Sequence, residues 1–253
     1  MYKNKKGSHV GIVLSFVIFV TFLVFLYSVL EPEIRIQQDK ESYLDYLKEE
    51  LMERVSANLT TITVAITKST LIQNCVNLEN LINEAGIDSL IIVKDQSENI
   101  VESNISEGDS TDLLIDREDG EKVFFKIYNS EEFPELEEAI INPCSSLEKD
   151  EEWEGEPVGY SIRLILKEGY VFEKKVIELL EEYESEGGYE NLRNELKIPS
   201  GTEFGFSFIY NNGTRIETKE KEIPTKVQVR EIPVQYIDKE SNVLLGTINI
   251  KIW

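Results

Sequence analysis

The chain has 253 residues and a net charge of −22, of which residues 1–30 contribute +3 and the remainder −25. So acidic a chain repels nucleic acids and anionic lipid surfaces, and no nucleic-acid partner is expected. Its single histidine, His9, leaves no Ser–His or Cys–His pair and no His/Cys zinc set elsewhere, and no Gly-x-x-x-x-Gly-Lys loop occurs; no enzyme activity, metal site or other cofactor is expected.

The first element is an uncharged apolar run from Val10 to Leu30. At about 1.5 Å per residue it spans roughly 30 Å of hydrocarbon, which predicts a transmembrane helix over 8–31. Two readings compete with it. A core helix of a soluble domain rarely stays apolar on every face for so long. A cleaved secretory signal has a shorter apolar core and small residues at its cut, whereas Ser28-Val29-Leu30-Glu31-Pro32 follows here. Lys3, Lys5 and Lys6 precede the run, and Glu31 and Glu33 follow it. The positive-inside rule then puts a basic leader, 1–7, in the cytoplasm and everything after Leu30 outside.

Pro32 should bend or break the helix. An amphipathic stalk is expected over 32–58, where Leu44, Leu47, Leu51 and Val55 recur at helical spacing among charges. Residues 59–253 form the outer α+β domain: a mostly antiparallel sheet with helices packed on it. Leu59–Thr67 is β-branched and favours a strand, although the heptad-like spacing through Leu59, Ile62 and Ile66 also allows a longer helix.

Further along, Leu78–Ala85 reads as a short helix capped by Gly86, and Ser89–Val93 as a strand. Asp95–Asn99 imitates the opening of a calcium loop but has Ile100 and Ser106 where that loop needs Gly and Glu, so a turn is predicted. Glu102–Asp112 and residues 145–157, around Trp153, read as acidic loops, and Leu113–Asp116 and Lys122–Tyr128 as strands joined at Asp119-Gly120. Val158–Lys167 alternates as a half-buried strand whose apolar face, with Leu164, should pack on the helix marked by Phe172, Val176, Leu179, Leu180 and Tyr183. A short helix, Tyr189–Leu196, follows. Phe204, Phe206 and Phe208 share a strand face, Asn212-Gly213 is a hairpin turn, and Val227–Ile237 pairs with Leu244–Trp253.

Cys75 and Cys144 are an even pair on the predicted outer side, which favours one disulfide over two buried free thiols. Asn58, Asn104 and Asn212 each open an Asn-x-Ser/Thr sequon and are glycosylation candidates. Val10, Val13, Val17, Val20 and Val24 repeat at spacings of three and four, a β-branched seam for helix packing in lipid or, alternatively, a lipid-facing surface.

Lys5-Lys6-Gly7-Ser8, directly before the apolar run, resembles the class III signal peptide of archaeal type IV pilins and related cell-surface proteins. That resemblance covers about the first 30 residues and implies that a membrane-embedded prepilin-type peptidase cuts between Gly7 and Ser8, ahead of a helix that is retained. Ile12 stands at the fifth mature position, where many bacterial pilins carry glutamate, so the archaeal pattern is the nearer one. The layout of apolar helix, a proline kink near its end at Pro32, amphipathic continuation and β-rich head is also pilin-like. The expected function is therefore a pilin-like or pseudopilin-like structural protein of the cell surface. Its partners are membrane lipid, the peptidase, and copies of itself or other pilin-like subunits. The alternative is a single-pass anchored binding or sensing ectodomain that does not assemble.

Overall fold

The computed structural model describes residues 9–66, 74–106, 109–117, 123–139, 144–150, 159–219 and 227–253. The basic leader with Gly7 and Ser8, the Asp119-Gly120 turn and Trp153 lie outside these residues.

Helix α1 (His9–Val55) is one 47-residue rod. The expected break at Pro32 does not interrupt it. A proline removes one backbone donor, and the turns on either side keep theirs. The second half of α1 presents Leu44, Leu47, Leu51 and Val55 at helical spacing, and all four are buried. The chain passes straight from Val55 into β1 (Ser56–Ile66), so the strand starts earlier than the β-branched run suggested, and the reading of that run as more helix falls away.

The remaining elements are β2 (Cys75–Leu78), α2 (Leu81–Ala85), β3 (Ile91–Asp95), β4 (Ile100–Val101), β5 (Ser103–Ser106), β6 (Asp109–Asp116), β7 (Phe124–Asn129), β8 (Glu138–Ala139), β9 (Ser145–Leu147), β10 (Tyr160–Phe172), α3 (Glu173–Glu184), α4 (Gly188–Glu195), β11 (Phe204–Ile209), β12 (Arg215–Glu217), β13 (Gln228–Ile237) and β14 (Val243–Ile252). Nine strands form one sheet in the order β12-β11-β14-β13-β10-β1-β7-β3-β4, and five form a second in the order β8-β5-β6-β2-β9. The large sheet is antiparallel except where the end of β10 meets the end of β13. The fold is thus mixed α and β with a large, mostly antiparallel sheet.

Two cores flank the central β1–β10 ribbon. In the first, the second half of α1 with α3 and α4 covers β11, β13 and β14, where Phe204, Phe206, Phe208, Ile248, Ile250 and Ile252 all point inward as their alternation predicts. In the second, the small sheet and α2 close over β1, β3 and β7 around Ile62, Val93, Leu113, Phe125 and Ile127. A smaller cluster of Ala57, Leu59, Tyr128, Phe133, Phe172 and Ile237 sits between them.

Further expectations change: Leu78, read as the start of a helix, closes β2, and the expected loop from 145 opens as β9. Much of the expected loop Glu102–Asp112 is strand, because Ile105 buries and the buried Asp112 is satisfied by Asn77 Nδ2 and by the Asn80 N–H, both at 2.8 Å. Strands β6 and β7 do not pair with each other but lie in different sheets. In β10, Leu164, Ile165 and Leu166 are 50, 46 and 44 % exposed rather than packed on a helix. At its two ends Tyr160 buries in the second core, Val171 beside α3 in the first and Phe172 in the small cluster, and Leu180 is partly buried.

Candidate functional site

The most unusual surface is the first half of α1. Gly11–Glu31 is long and apolar enough to cross a membrane, and none of it is buried against the rest of the chain. Water would exact a transfer cost of about 25 cal/mol for each Å² of such surface, so a lipid or protein environment is its stable setting. Two of its hydroxyl side chains turn inward: Thr21 Oγ1 donates to the Val17 and Ile18 carbonyls at 3.0 and 2.9 Å, and Ser28 Oγ to the Val24 carbonyl at 2.9 Å. Their polarity is thereby satisfied within the helix.

Along the valine seam, Val13, Val17, Val20 and Val24 are all exposed, the least being Val20 at 38 %. These four are therefore available to lipid or to another helix. Val10 lies in the helix, and Gly7 and Ser8 lie outside the described residues.

Cys75 and Cys144 form a disulfide with Cα atoms 4.5 Å apart, tying the start of β2 to the residue before β9. Among the sequons, Asn58 and Asn212 are exposed and Asn104 is partly buried on β5. The Asn212 side chain accepts from the Thr214 N–H at 2.8 Å, which shapes the hairpin turn.

The head carries a cleft of about 490 Å³, whose lining includes Asn212 and Thr214 of the third sequon. The first turn of α3 supplies Glu173, the β11–β12 hairpin Tyr210, Asn211, Asn212 and Thr214, and the β13–β14 turn Asp238, Lys239 and Glu240. Tyr210 and Tyr236 meet edge to face, with ring centroids 5.9 Å apart, and Phe208 stands edge-on to both. Burial raises the Tyr210 phenol above its ordinary range, helped by its hydrogen bond to Glu173. Rings and carboxylates facing one opening suit a small cationic ligand better than an anion. Among the described residues, no group of three His, Cys, Asp or Glu side chains is placed to hold a metal ion.

Behind the β13–β14 turn lies a second polar feature that sequence reasoning missed. Lys94, buried on β3, donates to Asn242 Oδ1 at 2.8 Å. Its only sequence signal is a lysine directly after the apolar triplet Ile91-Ile92-Val93, which is too common to single out.

No family model, curated protein or solved structure matches this chain.

Proposed function

We propose that the chain is a pilin-like or pseudopilin-like structural protein of the cell surface, anchored by the first half of α1 and assembling through it. One observation carries this reading: a single unbroken helix is exposed and apolar from Gly11 to Glu31 and packed into the head from Leu44 to Val55. Such a rod transmits the position of a membrane or filament core rigidly to the head. A flexible tether, sufficient for an isolated ectodomain, would not need the helix to continue into the core. The Lys6-Gly7-Ser8 leader supplies the processing step, with the N-terminus inside and the acidic head outside. An uncut leader would carry three lysines to the packed end of the helix, at roughly 2.5–3.5 kcal/mol for each charge at membrane depth.

Mass spectrometry of the N-terminal peptide from native membranes tests this. A terminus at Ser8 is expected, with Gly7→Phe trapping the precursor as a membrane monomer. An intact Met1 or Tyr2 terminus in cells with an active prepilin peptidase would defeat it. The Glu173–Tyr210–Tyr236 cleft favours the second reading, an anchored binding ectodomain. That reading gains if the leader stays uncut and the cleft takes up an organic cation.

A further inference from the structure

Lys94 is 1 % exposed, and its Nζ stands 5.6 Å from the centre of the Tyr128 ring. A buried amine of this kind normally meets a carboxylate, yet the group it touches at 2.8 Å is the side-chain oxygen of Asn242. The same carboxamide is held from its other side, since Asn242 Nδ2 donates to Asp238 Oδ2 at 2.9 Å. Asp238 is fixed in turn through Oδ1, which accepts the Glu240 and Asn242 N–H groups at 2.9 and 2.8 Å. The amide orientation is determined by its neighbours. A carboxylate only accepts, so nitrogen must face Asp238, which leaves the oxygen to Lys94. The carboxamide carbon is therefore one bond beyond the atom that the amine already touches.

We propose that Lys94 and Asn242 join covalently, as an intramolecular amide between the lysine Nζ and the asparagine side-chain carbon. The neutral amine attacks that carbon and one C–N bond forms. The proton it gives up passes by way of Asp238 to Nδ2, the nitrogen that Asp238 Oδ2 already holds. The bond from the carbon to Nδ2 then breaks and ammonia leaves. One C–N bond is made and one is broken, with no change of oxidation state and no co-reactant. Burial lowers the Lys94 pKa, and neighbouring Lys126 acts in the same direction, while Glu98, Asp238 and Glu240 oppose it. A larger neutral fraction makes the amine the nucleophile this step needs.

The link would have a clear structural consequence. Lys94 is on β3, whose Ile91 and Val93 lie in the core closed by the small sheet, whereas Asn242, 148 residues away in sequence, directly precedes β14, whose Ile248, Ile250 and Ile252 lie in the other core. The disulfide lies wholly within the former, so the amide would be the covalent tie between the two. It does not depend on whether the chain assembles.

The test is mass spectrometry of the full chain after reduction, followed by peptide mapping. The expected result is a mass short by one ammonia relative to the observed N-terminus, together with a branched peptide pair containing Lys94 and Asn242. The deficit should vanish in Lys94→Arg and in Asp238→Asn. Full mass in the unaltered protein, with Lys94 and Asn242 on separate linear peptides, would overturn the proposal whatever the variants do. So would a deficit that survives Lys94→Arg, because asparagine can also lose ammonia by cyclising on its own backbone.

Discussion

Gly188 opens α4 where the chain turns back from α3, and a Cβ built there would stand 1.7 Å from the Glu182 carbonyl oxygen. Backbone cannot swing aside as a side-chain tip can, so Gly188→Ala should destabilise the protein by about 1–3 kcal/mol. Gly169, on the exposed stretch of β10, has nothing within 4 Å of the same position, and Gly169→Ala should stay within about 0.5 kcal/mol. Denaturant melts of the two variants make the comparison. Buried phenols set a second residue-scale expectation. Burial, with the Glu98 carboxylate accepting its hydrogen bond, pushes the Tyr128 phenol from 10.0 up to about 12. Burial also raises Tyr160, Tyr189 and Tyr210. The folded state therefore holds these protons more tightly than the unfolded chain. The stability they contribute is full below pH 10 and lost as the pH climbs through the raised values. An absorbance titration should show a late-ionising group of tyrosines that goes over together with alkaline unfolding. All eleven tyrosines titrating near 10 in a folded protein would contradict the burial described here.

Elements whose pattern answered to a single buried face were legible in the sequence. The Leu44–Val55 stripe, the Phe204–Phe208 alternation, the terminal hairpin and the Asp95–Asn99 turn all appear where residue spacing put them. The misreadings have a common cause, which is that pairing partners far away in sequence decided the outcome. Asp112 looks like loop chemistry until Asn77 and the Asn80 N–H satisfy it, and β6 and β7 look like a hairpin until each finds a different sheet. The cleft likewise draws on three separate turns, so no window of sequence contains it. In β10, alternation implied a covered face. Among the described residues, however, its ladder partner from Ser161 to Gly169 is β1 alone, and Leu164 is half exposed. Leu164→Asp should therefore be nearly neutral, within about 0.5 kcal/mol. Leu51→Asp, which puts a charge among α1, α3 and the sheet, should abolish folding of the head. Comparable stability of the two variants by circular dichroism would mean that one of these faces is misassigned.

At the scale of the whole molecule the question is whether two cores behave as one unit. Strand β1 answers it structurally. Its first residues, Ala57 and Leu59, lie in the small cluster between the cores, while Ile62, Val64 and Ile66 lie within the second. The strand grows directly from the α1 turn that anchors the first core. Losing either core frees one end of β1 and of its partner β10, and with them the 11-residue register that unites the large sheet. The disulfide, by contrast, constrains the second core only, bridging residues 69 apart. On the chain-entropy account, closing such a loop is worth about 4 kcal/mol. Replacing both Cys75 and Cys144 with serine therefore acts on one core directly and on the other through β1 and, where it has formed, the Lys94–Asn242 amide. If the shared strand couples them, amide exchange in β11 and β14 should accelerate along with exchange in β2 and β6, and thermal unfolding should remain one transition at a lower midpoint. Protection lost from β2 and β6 while β11 and β14 keep theirs would show two units merely joined by a ribbon. A rod that positions one core would then leave the other free to open by itself.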